Sequence, residues 1–188
     1  MSYSKYYSTN GFDFVLYQDL TSEHSDKVLS YRNHENVRKW MFNPNKISSK
    51  EHLNFINKLN DSSKVYCAVF RNQKIIACVN FDDIGNNEYF VGHFLNPKLL
   101  SSGIGLYFEY VYLKFFFKHI KADIIKATVK KENLPMIKIH RLCNFKEFNH
   151  KNPKFYDYEF SINQYKKIPE NIKDFISSLV IKYRKSEY

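Results

Sequence analysis

Apolar residues recur along the chain with two different periods, one typical of strands and one typical of helices. The alternating and short apolar runs predict strands at residues 12–16, 65–70, 74–81, 89–95, 124–129 and 155–162. The runs with apolar residues three or four positions apart predict helices at residues 25–31, 49–59, 103–120, 134–142 and 168–183. Because strands and helices are interspersed, the chain is predicted to be mixed α/β, with a run of antiparallel strands in its middle.

Local signals indicate where some of these elements begin and end. Ser48 or Ser49 is expected to cap one helix, and Asn133 is expected to cap another. The last part of the chain repeats apolar residues at helical spacing on one face only. We therefore predict a domain at residues 1–163 and a C-terminal amphipathic helix at residues 164–188. This helix packs on the domain or on a second subunit, and the second arrangement predicts a homodimer.

The composition fits a single packed domain. The chain has 188 residues, of which 44% are hydrophobic and 18% aromatic, which is enough for an ordinary core. No apolar run approaches the roughly 20 residues of a membrane-spanning helix, and the polar N-terminus lacks the apolar stretch of a secretory signal. The three cysteines lack CxxC spacing, so reduced, buried thiols are expected and a zinc site is not. We therefore expect a cytoplasmic protein with no metal and no membrane partner.

The charge balance narrows the choice of partners. The chain carries 29 Lys and Arg against 19 Asp and Glu, a formal charge of +10. Such a surface favours an anionic partner, such as nucleic acid, acidic lipid or a phosphorylated small molecule. The basic residues are scattered, and no block of five or six occurs. No nucleic-acid partner is therefore expected, and a basic nucleic-acid-binding domain is kept as the non-enzymatic alternative.

The most informative segment, NPKLLSSGIG at residues 96–105, follows a predicted strand and opens a predicted helix. Gly103 and Gly105 remove side chains where backbone amides would face an anion, and the helix N-terminus adds partial positive charge. This arrangement suits a pyrophosphate, and a glycine-containing helix start without a ligand is the alternative. The three-glycine fingerprint of dinucleotide-binding folds is absent, and so is the Gly-Lys-Ser/Thr of a Walker A loop.

Another segment, NLPMIKIHRLCNF at residues 133–145, starts with Asn and ends in Phe. Together with the elements between them, the two segments resemble the GCN5-related N-acetyltransferases, or GNAT enzymes. Residues 96–105 are similar to that family's acetyl-CoA loop, Gln/Arg-x-x-Gly-x-Gly/Ala, with Leu100 in place of Gln or Arg. Residues 133–145 are similar to Asn-x-x-Ala-x-x-Leu-Tyr-x-x-x-Gly-Phe, with His140 at the Tyr position and Asn144 at the Gly position. The resemblance covers residues 12–162.

The resemblance implies a fold, a co-substrate and the residues that contact it. The implied fold is a central mixed, mostly antiparallel sheet with helices on both faces. The implied co-substrate is acetyl-CoA, used without a metal. The residues that match the coenzyme-binding positions are Phe94, Leu95, Leu100, Ser101, Ser102, Gly103, Ile104, Gly105 and Asn133.

Residues 32–56 resemble a narrower branch of the family, the UDP-4-amino-4,6-dideoxy-N-acetyl-β-L-altrosamine N-acetyltransferases of pseudaminic acid biosynthesis. The stretches RNHENVRKWM and ISSKEHLNFI are similar to that branch's pattern WRN(H/N)P…(W/F)M…ISxxxHxxFI. The residues implied to contact the nucleotide sugar are Arg32, Trp40, His52, Asp82 and Phe94. Arg32 suits a phosphate or carboxylate. The alternatives are a helix-end cation for Arg32, packing for Trp40 and a surface position for His52.

His140 and His93 are the candidates for catalysis. When an amine attacks a thioester, a thiolate leaves, and a nearby acid can protonate its sulfur. The resemblance implies that a Tyr at the position of His140 is that acid in the family, and a His with an unperturbed pKa of about 6.5 can take its place. Both the neutral imidazole and the imidazolium are open as the donor, and simple packing is the alternative. His93 lies on the strand that in the family carries the acetyl group, and it is the candidate for relaying the amine proton, directly or through water. Glu88 on the same strand is the alternative.

These expectations define an enzyme. We expect an N-acetyltransferase that moves acetyl from acetyl-CoA to the 4-amino group of a UDP-linked 4-amino-4,6-dideoxy sugar by direct transfer. The alternative acceptors are a protein N-terminus and another small amine, such as that of an antibiotic.

Overall fold

The structure is a computed structural model that describes residues 6–168. Within this range the chain divides into two compact units, residues 6–85 with 89–100 and residues 86–88 with 101–168. The helix predicted at residues 168–183, and with it most of the predicted C-terminal segment, lies outside the described residues. The division at residue 163 therefore stays a prediction.

The first unit contains an antiparallel meander in which each strand pairs with the next one along the chain. Its strands are β1 Tyr7–Thr9, β2 Phe12–Leu16, β3 Val65–Arg71, β4 Lys74–Asp83 and, from Tyr89 onward, β5 Glu88–Leu95. A two-residue turn joins β3 to β4, and its residues Asn72 and Gln73 have φ values of 48° and 62°. Such left-handed conformations match the twist of a tight hairpin. This turn therefore sets the register in which Arg71 faces Lys74.

Three helices complete the first unit, α1 Ser22–Asn33, α2 Glu35–Arg38 and α3 Ser49–Leu59. The N-terminus of α3 has a capping box, because the Ser48 side chain accepts from the Glu51 amide and the Glu51 side chain accepts from the Ser48 amide. Residues from helices and strands share one core cluster. Its buried members are Val15, Tyr17, Val28, Leu59, Ala68, Phe70, Ile75 and Cys78.

The second unit holds the remaining elements. They are α4 Ile104–Phe115, β6 Ile124–Lys130, α5 Leu134–Leu142, β7 Lys146–Asn149, β8 Phe155–Ser161 and α6 Ile162–Lys166. Strand β8 pairs antiparallel with both β6 and β7. Helix α4 is buried around most of its circumference and continues as a π-helical turn over Phe116–Ile120. Helix α5, which connects β6 to β7 along the chain, carries the candidate residue His140.

The predicted elements within residues 6–168 are confirmed with the exceptions that follow, and the short helices α2 and α6 were not predicted either. The helix predicted at residues 25–31 is too short, because α1 starts at Ser22 after its cap Thr21 and runs to Asn33. Strands β1 and β7 were not predicted, since each is a short edge strand of three or four residues without an apolar pattern. The helix predicted at residues 103–120 is α-helical only to Phe115.

Candidate active site

The start of α4 has the geometry that the glycine segment predicts. Gly103 is the N-cap of α4 with a φ of 83°, and it supplies no capping side chain. A Cβ at Gly103 would meet no atom within 4 Å, so the space beside this backbone is open. The Ile104 amide donates to the Ser102 hydroxyl at 3.3 Å. No acidic residue lies in the first turn, so its partial positive charge is not offset there.

Helix α5 begins and ends as its motif predicts. The Asn133 side chain accepts from the Met136 amide at 3.3 Å and so caps the helix. Asn144 stands where the motif has Gly, and its φ is 67°. Because Asn is one of the few side chains that adopts the left-handed conformation readily, it can replace Gly at this position. The Phe145 amide then donates to the His140 carbonyl, which closes the end of the helix.

His140 is buried, with 2% of its surface exposed. Its ring stacks on Phe145, with centroids 4.3 Å apart and planes at 12°, and Tyr158 approaches it edge-on at 4.6 Å. Its Nε2 atom lies 3.3 Å from Oε1 of Glu109, which is fully buried on α4. The Tyr112 hydroxyl donates to the same carboxylate oxygen. His140 therefore belongs to a buried polar cluster and is not a surface residue.

Arg32 anchors the segment that follows α2. Its guanidinium donates to the carbonyl of Asn45 and, at 2.7 Å, to the carbonyl of Asn43. The neighbouring Asn33 side chain makes two hydrogen bonds to the backbone of Ile47, of 2.7 and 2.8 Å. The end of α1 thus holds residues 43–47 in place. Contact between Arg32 and a sugar nucleotide stays a prediction.

His52 is also buried, with 7% exposed, so the alternative of a surface position is wrong. Its Nε2 atom lies 3.1 Å from the Ser25 hydroxyl, and Tyr17 packs against the ring edge-on. Burial lowers the pKa of His52 from its ordinary value, because the charged form loses solvation. The imidazole is therefore neutral at physiological pH.

The other predicted acceptor residues lie in the first unit. Trp40 is half-buried, with the Lys39 ammonium 5.3 Å from its ring centre. Asp82 accepts from the Tyr66 hydroxyl at 3.4 Å and lies 3.6 Å from the Lys64 ammonium. These contacts leave one oxygen of Asp82, Oδ1, without a hydrogen-bond partner among residues 6–168.

Strand β5 presents three predicted residues at consecutive positions. Successive side chains of a strand point to opposite faces, so His93 and Leu95 share one face and Phe94 lies on the other. Phe94 packs against the core cluster of the first unit. Its side chain is only partly buried. Contact of Phe94 or Leu95 with the coenzyme or the sugar stays a prediction. The same holds for Leu100, the last residue of the first unit.

Comparison with known proteins decides the family. Residues 15–146, more than half of the chain, match the acetyltransferase (GNAT) domain family. The chain belongs to the GNAT acetyltransferases.

Relatives and solved structures agree with this assignment. The chain is 30% identical over 130 residues to Acetyltransferase PseH from two Campylobacter jejuni strains, which is 69% of this chain and 81% of each relative. The crystal structure of C. jejuni N-acetyltransferase PseH in complex with acetyl coenzyme A has a TM-score of 0.66 and 23% identity, and the match covers 80% of this chain and 99% of that one. Spermidine N-acetyltransferase from Vibrio cholerae, in complex with CoA and spermine, has a TM-score of 0.72 and 17% identity over 84% and 99%. At these identities the two structures establish the fold.

The GNAT assignment confirms the predicted α/β fold class and an acetyl-CoA-dependent N-acetyltransferase. The three cysteines are free and buried, as predicted. Within residues 6–168, no group of three or more His, Cys, Asp and Glu side chains is placed to hold a metal ion. None of the helices in that range has the length and apolar character that a bilayer crossing requires.

Glu109 is a buried polar residue of this GNAT enzyme that was not predicted as part of the site. It is the only acidic residue between positions 104 and 120, inside an otherwise apolar and aromatic helix. A lone carboxylate in such a helix is buried only with polar partners, so its presence was a usable signal. The partner His140 could not be inferred from spacing, because 31 positions of sequence separate the two residues.

Proposed function

We propose that this GNAT enzyme transfers the acetyl group of acetyl-CoA to the 4-amino group of a UDP-linked 4-amino-4,6-dideoxy sugar, as in pseudaminic acid biosynthesis. The observation that carries the acceptor is the 30% identity to Acetyltransferase PseH, over 81% of that relative's length. The resemblance of residues 32–56 to the sugar-modifying branch supports the same acceptor.

In this proposal the coenzyme's pyrophosphate binds at the first turn of α4. The left-handed Gly103, the open space beside it and the absence of a capping side chain support this position. Backbone amides at a helix N-terminus bind phosphate groups by direct hydrogen bonds and by the helix dipole. Ser101, Ser102, Ile104 and Gly105 are the neighbouring residues that we assign to the same contact.

The chemistry is a direct transfer between two bound substrates. The neutral amine attacks the thioester carbon, the new C–N bond forms, and the C–S bond breaks with its electron pair on sulfur. The amine loses a proton to His93 or to water, and the sulfur receives one from His140. The position of His140, which matches the Tyr of the family's motif, supports this role.

An acetyl-CoA turnover assay tests the acceptor. UDP-4-amino-4,6-dideoxy sugars are compared with ordinary amino sugars, peptides and spermidine, with thiol release as the readout. We expect the UDP-linked sugars to give the highest kcat/KM by a wide margin. Efficient acetylation of peptides or spermidine, with no turnover of the UDP-linked sugars, would contradict the branch assignment and leave the GNAT assignment intact.

Two variants test the role of His140 in the same assay. His140→Phe keeps the ring and removes the donor, so turnover should fall while acetyl-CoA affinity holds. His140→Tyr should retain much of the activity, because the resemblance implies a Tyr at this position. Wild-type turnover by the Phe variant would mean that His140 only packs.

We further propose that the enzyme works in the cytoplasm, which the three free thiols support. A homodimer and the absence of a nucleic-acid partner stay predictions.

A further inference from the structure

Asn80 lies in the second half of β4, on a half-open face of the meander in the first unit. Its cross-strand neighbours are Tyr66 on β3 and Gly92 on β5. Asn80 and both of these neighbours are half-buried, whereas Val79 and Phe81, which point to the other face of β4, are buried. The side chain of Asn80 therefore borders open space.

The absence of a side chain at Gly92 determines where the Asn80 amide can lie. A Cβ on Gly92 would come within 2.7 Å of Oδ1 of Asn80, which is closer than such atoms approach each other. The amide thus occupies the space that a side chain on β5 would fill. The backbone of Gly92 is not left-handed, so its conformation does not itself require glycine. A larger residue at this position would therefore act mainly by displacing Asn80.

The Asn80 amide is available to a ligand. An Asn side chain offers one carbonyl oxygen and two N–H donors. Within residues 6–168, no other residue forms a hydrogen bond with this amide, and both of its polar atoms remain accessible to solvent. Because the amide carries no charge, its hydrogen bonds do not depend on a protonation state.

The side chains around the amide indicate which kind of group it binds. On the same face, Asp82 follows two residues along β4, and Phe90 and Phe94 flank Gly92 on β5. The Asp82 carboxylate disfavours a phosphate beside it, because like charges repel. The two aromatic rings offer apolar surface. A neutral group that combines a carbonyl oxygen with a methyl group, such as an acetamido group, matches both conditions.

We propose that Asn80 is a specificity-determining residue of the acceptor site, whose amide donates from Nδ2 to the carbonyl oxygen of an acetamido group on the acceptor sugar. The inference rests on the proposed function, because the proposed acceptor carries an N-acetyl group besides the 4-amino group that reacts. Gly92, over which the amide lies, belongs to the strand that in the family carries the acetyl group. Asn80 thus selects sugars with an acetamido group and takes no part in the chemical step.

Two acceptors that differ in one substituent test this selection. One is the UDP-linked 4-amino-4,6-dideoxy sugar with its acetamido group, and the other carries hydrogen in that place. Asn80→Ala should lower kcat/KM about tenfold for the first, as the loss of an uncharged hydrogen bond usually does, and by less than about twofold for the second. KM for acetyl-CoA should not change. Equal losses with both acceptors, or no loss with either, would overturn the inference.

Gly92→Ala tests the position of the amide without removing it. The added Cβ must displace Oδ1 of Asn80, and the backbone of Gly92 accepts alanine. We expect kcat/KM for the acetamido acceptor to fall by about three- to tenfold. In Asn80→Ala the same change should have almost no effect, because the displaced group is already gone. A fall of the same size in both backgrounds would refute the role of Asn80. If Asn80→Ala does not fold, the two acceptors compared in Gly92→Ala still decide the question, since only the acetamido acceptor should lose.

The outcomes separate this inference from the proposed function. A wild-type enzyme that turns over no UDP-linked amino sugar refutes the proposed acceptor, and the inference with it. A wild-type enzyme that uses these sugars without preferring the acetamido group refutes the inference alone. The result we expect is a preference for the acetamido acceptor that Asn80→Ala removes.

Discussion

Replacing His140 by Phe should lower the free energy of unfolding by much more than the loss of a surface residue would. The Phe ring keeps the stacking on Phe145, whose centroid lies 4.3 Å from that of His140. It removes the group facing the buried Glu109 carboxylate at 3.3 Å. The carboxylate keeps its hydrogen bond from Tyr112 but is left with less compensation for its lost hydration.

The size of the effect follows from burial. Removing one partner of a buried polar contact leaves the other group without compensation for its lost hydration, which typically costs about 1–3 kcal/mol. Because Tyr112 still donates to Glu109, we expect a loss of about 2 kcal/mol. That is a large share of the roughly 5–15 kcal/mol by which a domain is stable.

Urea unfolding at pH 7, followed by circular dichroism, measures this loss. The double variant His140→Phe/Glu109→Gln is the control, since an uncharged Gln costs less to bury beside an apolar ring than a carboxylate does. We expect the double variant to recover at least half of the stability that His140→Phe loses. If His140→Phe loses less than about 1 kcal/mol, the pair is worth no more than an exposed one and the reasoning is wrong.

Three further changes test other parts of the molecule. Gly105→Val should raise KM for acetyl-CoA by about tenfold, or about 1.4 kcal/mol, and unchanged coenzyme kinetics in a folded variant contradict the α4 position. Arg32 and Arg38 both donate hydrogen bonds to backbone carbonyls of the loop after α2, so Arg38→Ala is the control for loop anchoring. Arg32→Ala should lower kcat/KM for the acceptor more than Arg38→Ala does. Equal effects would mean that Arg32 acts only through the loop. Burial lowers the folded-state pKa of His52 and of His24, so the unfolded chain binds more protons, and stability should fall as pH drops from 7 to 5. In His52→Gln, the free energy of unfolding measured in urea should fall less steeply between pH 7 and pH 5 than in the wild type, but it should still fall. An unchanged pH dependence contradicts the burial argument.

The elements that were predicted accurately are those with a strong local signal. Helix α5 begins at Leu134 and ends at Leu142, as predicted, because Asn133 caps its start and the left-handed Asn144 follows its end. Helix α3 likewise begins after the capping box at Ser48. In contrast, β1 and β7 are strands because a neighbouring strand pairs with them. The sequence of such a short, mostly polar segment does not indicate that pairing.

In the candidate site, too, features set by local sequence could be predicted and contacts between distant residues could not. The helix starts at Gly103 and Asn133 could be predicted from sequence, since their geometry depends on residues only a few positions away. The contacts of Arg32 with a distant loop, of His52 with Ser25 and of His140 with Glu109 could not. Each joins residues that only the tertiary fold brings together, and each changes what the side chain is free to bind.

The hydrogen bonds from the end of α1 to residues 43–47 have a consequence for recognition. Four backbone groups of this loop accept from or donate to Arg32 and Asn33, so its shape is set when the protein folds. Ordering a free loop on binding would subtract about 1–2 kcal/mol per residue from the affinity. A ligand that contacts this segment, including the exposed Phe42 beside it, therefore meets a preorganised surface. Its association should show little of the unfavourable entropy that accompanies loop closure.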